Sequence, residues 1–252
     1  MKRRLQQKFI RAIATFHLLE DGDSVLVGLS GGKDSLLLLE LLAEQARISH
    51  PQFAVQALHV RMNEVSYETD TSYLQQFCDN LGVRLHVVTT GFPTPPAEAS
   101  ASAVRRKQKQ PCFLCSWARR KQLFNVAQEL GCNKIALGHH QDDILNTCLL
   151  NLTFQSHFST MPVKLRMRKM PLTIIRPLCL IQEADIRQYA SQQGYQQQEK
   201  RCPYEHESNR TSITAVMQQL EALNPEARYS LWSALEAEGK LVEDSQHLSP
   251  DA

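Results

Sequence analysis

A chain of 252 residues is long enough to bury a full core and suits one domain with an appendage. With 28 basic against 26 acidic residues the net charge is only +2, so overall charge balance supplies no polyanion surface and any such surface must come from local basic clusters. No run approaches the roughly 18 apolar residues of a membrane span, and Met1 to Gln7 lacks a signal peptide's apolar segment. The expectation is a cytoplasmic protein with no membrane contact, whose seven cysteines serve as thiols, metal ligands or reagents before disulfides.

In chain order, Lys2 to Leu19 has a basic start and apolar residues at Phe9, Ile10, Ile13, Phe16 and Leu19, a spacing that predicts a helix. Val25 to Leu29 is a strand buried on both faces, as in a parallel sheet. Ser30-Gly31-Gly32 then turns into a Leu-rich helix from Lys33 to about Arg47. The two glycines let several N–H groups point into one concavity. The helix start adds its dipole, and Lys33 a full cation. Together they make an anion site, most simply for phosphate. The spacing from Gly28 and the Asp34 after the lysine exclude a Walker A loop, and no dinucleotide fingerprint is present. The Ser-Gly-Gly-x-Asp-Ser order resembles the loop of the ATP pyrophosphatase (PP-loop) family.

Phe53 to Arg61 is a second strand, Tyr67 to Leu81 a helix ended by Gly82, and Val83 to Thr89 a third strand. This β-α-β-α-β rhythm predicts an α/β fold, a Rossmann-like open parallel sheet with helices on both faces. Ligands of such sheets sit beyond the carboxyl ends of the strands. His59 lies at one such end, either lining a nucleotide pocket or buried in the strand.

Gly91 to Pro111 breaks the pattern with Pro93, Pro95 and Pro96 and the basic run Arg105-Arg106-Lys107-Gln108-Lys109. Arg119-Arg120-Lys121 and Arg166-Met167-Arg168-Lys169 are two more basic clusters, and three in a nearly neutral chain point to a polyanion larger than ATP. Between them, Cys112-Phe113-Leu114-Cys115 precedes a helix expected from Trp117 to Leu130. At a helix start both sulfurs favour the thiolate, the ligating and nucleophilic species. A redox pair, half of a metal site and two core cysteines are the competing readings. Further ligands come from Cys202-Pro203-Tyr204-Glu205-His206. Three cysteines with His206 make a structural zinc site. Three cysteines alone suit a cubane iron–sulfur cluster with one open iron, and spacing leaves both possible, with iron favoured.

Lys134 to Leu137 is a fourth strand, and Gly138-His139-His140-Gln141-Asp142-Asp143 opens a helix to about Leu152. Both acids fall in the first turn, but adjacent helical positions point about 100° apart, so they do not share one role. Cys78, Cys132, Cys148 and Cys179 have the setting of buried thiols, with Cys179 the one candidate for an accessory sulfur carrier. Helices follow over Glu183 to Gln193, Thr211 to Leu220 and Asn224 to Glu238, and a polar tail from Asp244 to Ala252 is expected to fray.

Taken in one order, Ser30 to Ser35, Cys112-x-x-Cys115, Gly138 to Asp143 and Cys202 resemble the tRNA 2-thiolation branch of the PP-loop family, the 2-thiocytidine synthetases and their 2-thiouridine relatives. Ile174-Ile175-Arg176-Pro177-Leu178 and Ser208-Asn209-Arg210 extend the likeness. The resemblance implies a fold of the adenine nucleotide alpha hydrolase type with a small helical C-terminal extension. It divides the chain into a PP-loop ATP-binding catalytic domain over 1–182, with the basic loop 91–111, and a helical segment over 183–252 carrying the third cluster cysteine. It implies a [4Fe-4S] cluster on Cys112, Cys115 and Cys202, and ATP with Mg²⁺ at Leu29, Ser30, Gly31, Gly32, Lys33, Asp34 and Ser35, with His59, Gly138 and His139. It implies tRNA as substrate, a cysteine desulfurase as sulfur donor and commonly a homodimer.

The implied reaction adenylates the C2 oxygen of a tRNA pyrimidine, cytidine 32 foremost, and replaces it with sulfur. Asp143 takes the family's catalytic acid position, Arg119 that of its catalytic basic residue, and Lys33 offsets charge on the leaving pyrophosphate. Two departures keep the nucleoside open: Pro203-Tyr204 follows Cys202 in the thiouridine manner, yet the thiouridine enzymes' zinc-binding ends are missing. Two other readings stand beside this one. An adenylating ligase like tRNA lysidine synthetase or an amidotransferase-type enzyme would not need the three cysteines. A non-catalytic, zinc-stapled RNA- or nucleotide-binding protein would put Cys202 and His206 on one zinc.

Overall fold

The computed structural model describes residues 1–48, 50–67, 70–92, 111–201 and 209–243. Its centre is β1 (Asp23–Gly28), parallel to β2 (Phe53–Met62) on one side and β5 (Lys134–Ala136) on the other. Beyond β2 lies β4 (Arg84–Thr90). Beyond β5 lies β7 (Thr173–Ile175), then the antiparallel β6 (Lys164–Arg166) and β9 (Val242–Glu243). The order β4-β2-β1-β5-β7-β6-β9 reverses direction at β1, so the crevice that binds ligands in open α/β sheets opens at the carboxyl ends of β1 and β5.

Alternating side chains of β1 serve two cores, which is why the strand is apolar throughout. Val25 and Val27 join the larger core, beneath α1 (Lys2–Phe16), α2 (Lys33–Gln45) and α3 (Ser72–Leu81). That core also takes residues from α5 (Gln141–Gln155), α6 (Glu183–Gln193), α7 (Asn209–Leu223) and α8 (Ala227–Ala237). Leu26 points the other way, to Leu58 and Ile135, under Val126 and Ala127 of α4 (Pro111–Glu129). Helices therefore cover both faces of a mostly parallel sheet, as expected.

Several elements differ from the sequence expectation, two of them with a local cause. The helix expected from Tyr67 starts at Ser72, because Asp70 accepts hydrogen bonds from the Ser72 N–H (2.9 Å) and hydroxyl (2.5 Å), while Ser66–Tyr67 form β3. β3 pairs antiparallel with β8 (Lys200–Arg201), a contact across 133 to 135 residues that no local pattern carries. The helix expected from Trp117 is already formed at Pro111, six residues earlier. The N-terminal helix stops at Phe16, where His17 turns left-handed (φ 47°) and its N–H closes on the Ile13 carbonyl. The run Arg105–Lys109, Cys202 to His206, Ser208 and the tail 244–252 lie outside the described residues. Among the described residues no helix is long and apolar enough to cross a membrane.

Candidate nucleotide and thiol site

Two strand-to-helix turns meet at the crevice. In the first, β1 runs through Leu29 to Gly32 into α2. Gly31 adopts φ +83°, which favours glycine, and a Cβ there would lie 2.7 Å from the Gln198 Cβ. Gln198 crosses the loop from outside, its N–H donating to the Gly31 carbonyl (3.0 Å). Inside the loop, the Ser30 hydroxyl accepts from the Gly32 N–H (3.3 Å) and meets the Ser35 hydroxyl (3.1 Å), which donates to the Gly32 carbonyl (2.9 Å). No side chain caps the α2 N-terminus, and its first-turn residues Lys33, Asp34 and Ser35 line the cavity. Lys33 lies between Asp34 (3.2 Å) and Glu183 of α6 (3.0 Å). Burial disfavours its cation, but the two carboxylates outweigh that and raise its pKa. The Asp34 carboxyl is shifted up by burial, against the pull of Lys33 and His140, and its buried Oδ1 has no hydrogen-bond partner.

The second turn follows β5. Gly138 allows the two turns to touch, since a Cβ there would lie 3.1 Å from the Asp34 carbonyl carbon and the Ser35 nitrogen. Asp143 accepts from the His140 N–H (3.0 Å) and so closes the first turn of α5 with its own carboxylate. The buried His140 ring is flanked by Asp143 (3.4 Å), Asp142 (3.5 Å) and Asp34 (3.9 Å). Burial opposes its charge, yet these carboxylates raise its pKa above the usual 6.5. His139 accepts from the Nε of the buried Arg176 (3.3 Å), which also donates to the Pro162 carbonyl.

The two acids have different surroundings, as their angular separation on the helix requires. Asp142 is held from three sides: by the Glu183 N–H (2.7 Å), by His140, and by Arg228 of α8 (3.0 Å). Burial works against its charge, but these contacts hold its carboxyl far below the usual range. Arg228 is fixed in turn on Glu221 (2.8 Å).

Two cavities share Gly28, Ser30 and Leu137. The first, about 450 Å³, is lined by Lys33, Asp34, Ser35, Gly138, His139, His140, Asp142, Asp143 and Glu183 among others. The second, about 150 Å³, is lined by Leu29, Leu58, His59, Val60, Tyr67, Arg119 and Leu123 besides the shared residues. The first suits a charged chain of phosphates, and the second a flat, mostly apolar group. His59 is buried and its Nδ1–H donates to the Leu29 carbonyl (2.7 Å), which fixes the loop's first residue on β2. The Nε of Arg119 is buried without a hydrogen-bond partner.

Cys112 and Cys115 fall in the first turn of α4, three residues apart and so on neighbouring faces. Cys112 is exposed, and the half-buried Cys115 packs with Tyr67 against Met62, Val65, Phe92 and Ala118. Tyr67 pairs with Lys200 in β8, whose last residue, Arg201, directly precedes Cys202. Cys202 lies outside the described residues, and among those residues no group of three His, Cys, Asp or Glu forms a metal site. The remaining described cysteines are packing residues. Burial pushes the Cys78 thiol up to about 12 and raises Cys148 and Cys179 as well. Cys179, at 0 % exposure, sits in the core and not in a sulfur carrier's place.

The structure thus brings Leu29, Ser30, Lys33, Asp34, Ser35, His59, Gly138, His139, Asp143 and Arg119 around one pair of cavities, while Gly31 and Gly32 form the turn between them without lining either. Sequence reasoning missed Glu183, Arg228 and Gln198, which reach the site from the C-terminal third and carry no local signal. His140 was legible in the Gly-His-His run, but its place between three carboxylates was not.

A switch-point crevice bordered by an uncapped helix start and a glycine-braced loop defines an anion-cradling α/β protein of Rossmann-like type. Residues 1–220 match the model of the PP-loop domain, and the chain belongs to the PP-loop family. Curated relatives named tRNA-cytidine(32) 2-sulfurtransferase include that of Vibrio cholerae, 36% identical over 77% of this chain and 61% of the relative. That of Bordetella avium is 32% identical over 93% of this chain and 73% of the relative. The chain spans 60% to 61% of the length of several such relatives. Among solved structures, the U34-tRNA thiolase of Methanococcus maripaludis with its [4Fe-4S] cluster superposes with a TM-score of 0.75 at 24% identity, over 99% of this chain and 83% of the thiolase. At that identity the likeness is one of fold.

Proposed function

We propose that the protein is an ATP-dependent tRNA sulfurtransferase that exchanges the C2 oxygen of a pyrimidine, cytidine 32 foremost, for sulfur. One observation carries this reading: Arg119, on the helix that begins with Cys112 and Cys115, reaches a cavity that shares Ser30 with the phosphate cradle. Thiols and nucleotide loop are thereby served by one crevice. The curated relatives' name supports the same reaction.

ATP fits the two cavities with its phosphates on the α2 N-terminus and its base in the apolar one. The unpartnered Oδ1 of Asp34 is the natural oxygen ligand for Mg²⁺. The pyrimidine O2 attacks the α-phosphorus, the bond to pyrophosphate breaks, and Lys33 with the α2 amides stabilises the departing charge. Asp143 serves as acid/base or holds the base in place, and Arg119 steadies the oxygen anion that develops. Once O2 carries the adenylyl group, sulfide-level sulfur adds to C2, the C2–O bond breaks and AMP leaves with the former base oxygen. The residues present fit a cluster: two thiols lie one turn apart on α4, and β8 pairs with Tyr67, which packs against Cys115. Cys112, Cys115 and Cys202 would hold a [4Fe-4S] cluster that supplies sulfur from a metal position lacking a protein ligand. A cysteine desulfurase as donor, a homodimer and a cytoplasmic setting complete the reading.

Anaerobic purification tests it. A brown protein with broad visible absorption, bleached by Cys112→Ser, Cys115→Ser or Cys202→Ser, is expected, together with 2-thiolated nucleosides by mass analysis of treated tRNA. Full colourless activity in all three variants would overturn it.

A further inference from the structure

Trp117 is 51 % exposed and Phe113, one turn before it, 45 % exposed. At about 100° per residue, Phe113, Trp117, Arg120 and Lys121 fall on one face of α4. By the same rotation Cys112, Cys115, Ala118 and Arg119 fall on the other side of the helix, Cys115 and Ala118 in the small core under β2 and Arg119 at the second cavity. Arg120 and Lys121 are exposed, and the Lys121 ammonium stands 5.3 Å from the centre of the Trp117 ring. The helix carries no acidic residue from Pro111 to Gln128, and the chain entering it brings the Arg105–Lys109 run.

A wide aromatic plane flanked by cations and no carboxylate, on the helix that carries the thiol pair, complements an unpaired base with its phosphates. Single-stranded RNA is recognised by just such stacking, since every base has a π-face, while the cations take the backbone. Resting on the sulfurtransferase reading, we propose that Trp117 is the stacking platform for an unpaired base of the RNA substrate that flanks the reacting pyrimidine, with Arg120 and Lys121 on the adjoining phosphates.

The chain has two tryptophans, and Trp232 is buried at 8 % exposure, so Trp117 is its own reporter. The anaerobically prepared full chain is titrated with unmodified tRNA and with a fully paired RNA duplex, following both RNA anisotropy and tryptophan fluorescence. tRNA is expected to quench the wild type but not Trp117→Phe, and the duplex to quench neither. Trp117→Ala weakens tRNA binding about 5- to 100-fold while Trp117→Phe retains most of it. Replacing Arg120 and Lys121 with alanine flattens the salt dependence by about two counterions. If tRNA binds without quenching and Trp117→Ala binds as tightly as wild type, the platform is wrong and the substrate reading stands. If no tRNA binds, both fall. Quenching by anionic vesicles but not by tRNA would mark a membrane-facing patch and overturn the platform.

Discussion

The β1–α2 and β5–α5 turns are built alike and behave oppositely. Each ends a parallel strand, passes a glycine and starts a helix at the same crevice. The α2 start has no side-chain cap, with Lys33 as its first residue. The α5 start is closed by its own Asp143 and carries Asp142 beside it. A helix start left open by its own side chains is available to an outside anion. One filled by carboxylates is instead a place for protons and cations. The contact at Gly138 puts the two within a few ångströms, so one crevice is bordered by both an open helix start and a carboxylate-lined one.

Removing the working acid should break this division most severely. Asp143→Asn keeps an oxygen to cap α5 and is expected to lower kcat about 10²- to 10⁴-fold with ATP binding retained, read by single-turnover thiolation. Lys33→Ala takes the cation from the open turn and should cost about 10²- to 10³-fold in kcat, followed by pyrophosphate release. Gly138→Ala forces the turns apart, destabilising the fold by about 1 to 3 kcal/mol in urea and raising the KM for ATP. Arg228→Ala releases Asp142 from its clamp, with a loss of about 1 to 2 kcal/mol and a rise in the KM for ATP that Arg228→Lys partly restores.

The smallest expected effect sharpens the acidic side alone. Folded His140 has a pKa above its ordinary 6.5, so its stabilising charge is fully present below 6.5 and is lost as pH rises through the raised value. The Tm difference between wild type and His140→Gln should therefore be largest on the acid side of neutrality and shrink toward alkaline pH. A difference that grew with pH would show that the imidazole is neutral among its three carboxylates.

What could be read from the sequence was whatever the chain keeps contiguous. Ser30 to Ser35 and Gly138 to Asp143 are each a strand end, a glycine and a helix start within a few residues, so composition and spacing reveal them. Glu183 and Arg228 reach the same atoms from 150 and 86 residues away, measured from Lys33 and Asp142, and nothing in their neighbourhoods signals it. The strands β6, β7, β8 and β9 are two or three residues long, too short for any alternation to show. The Tyr67 helix start was misplaced for a related reason: its residues suit a helix, but pairing with β8 competes for the backbone.

The hydrogen bond from Gln198 to Gly31 has a geometric corollary. Only four peptide units separate that anchor from Cys202, and an extended chain spans at most about 3.6 Å per residue. The Cys202 α-carbon is thus leashed within about 14 Å of the anchor's α-carbon, whatever path the backbone takes. Any rearrangement that loosens the leash where it is tied must also change how far that thiol can travel.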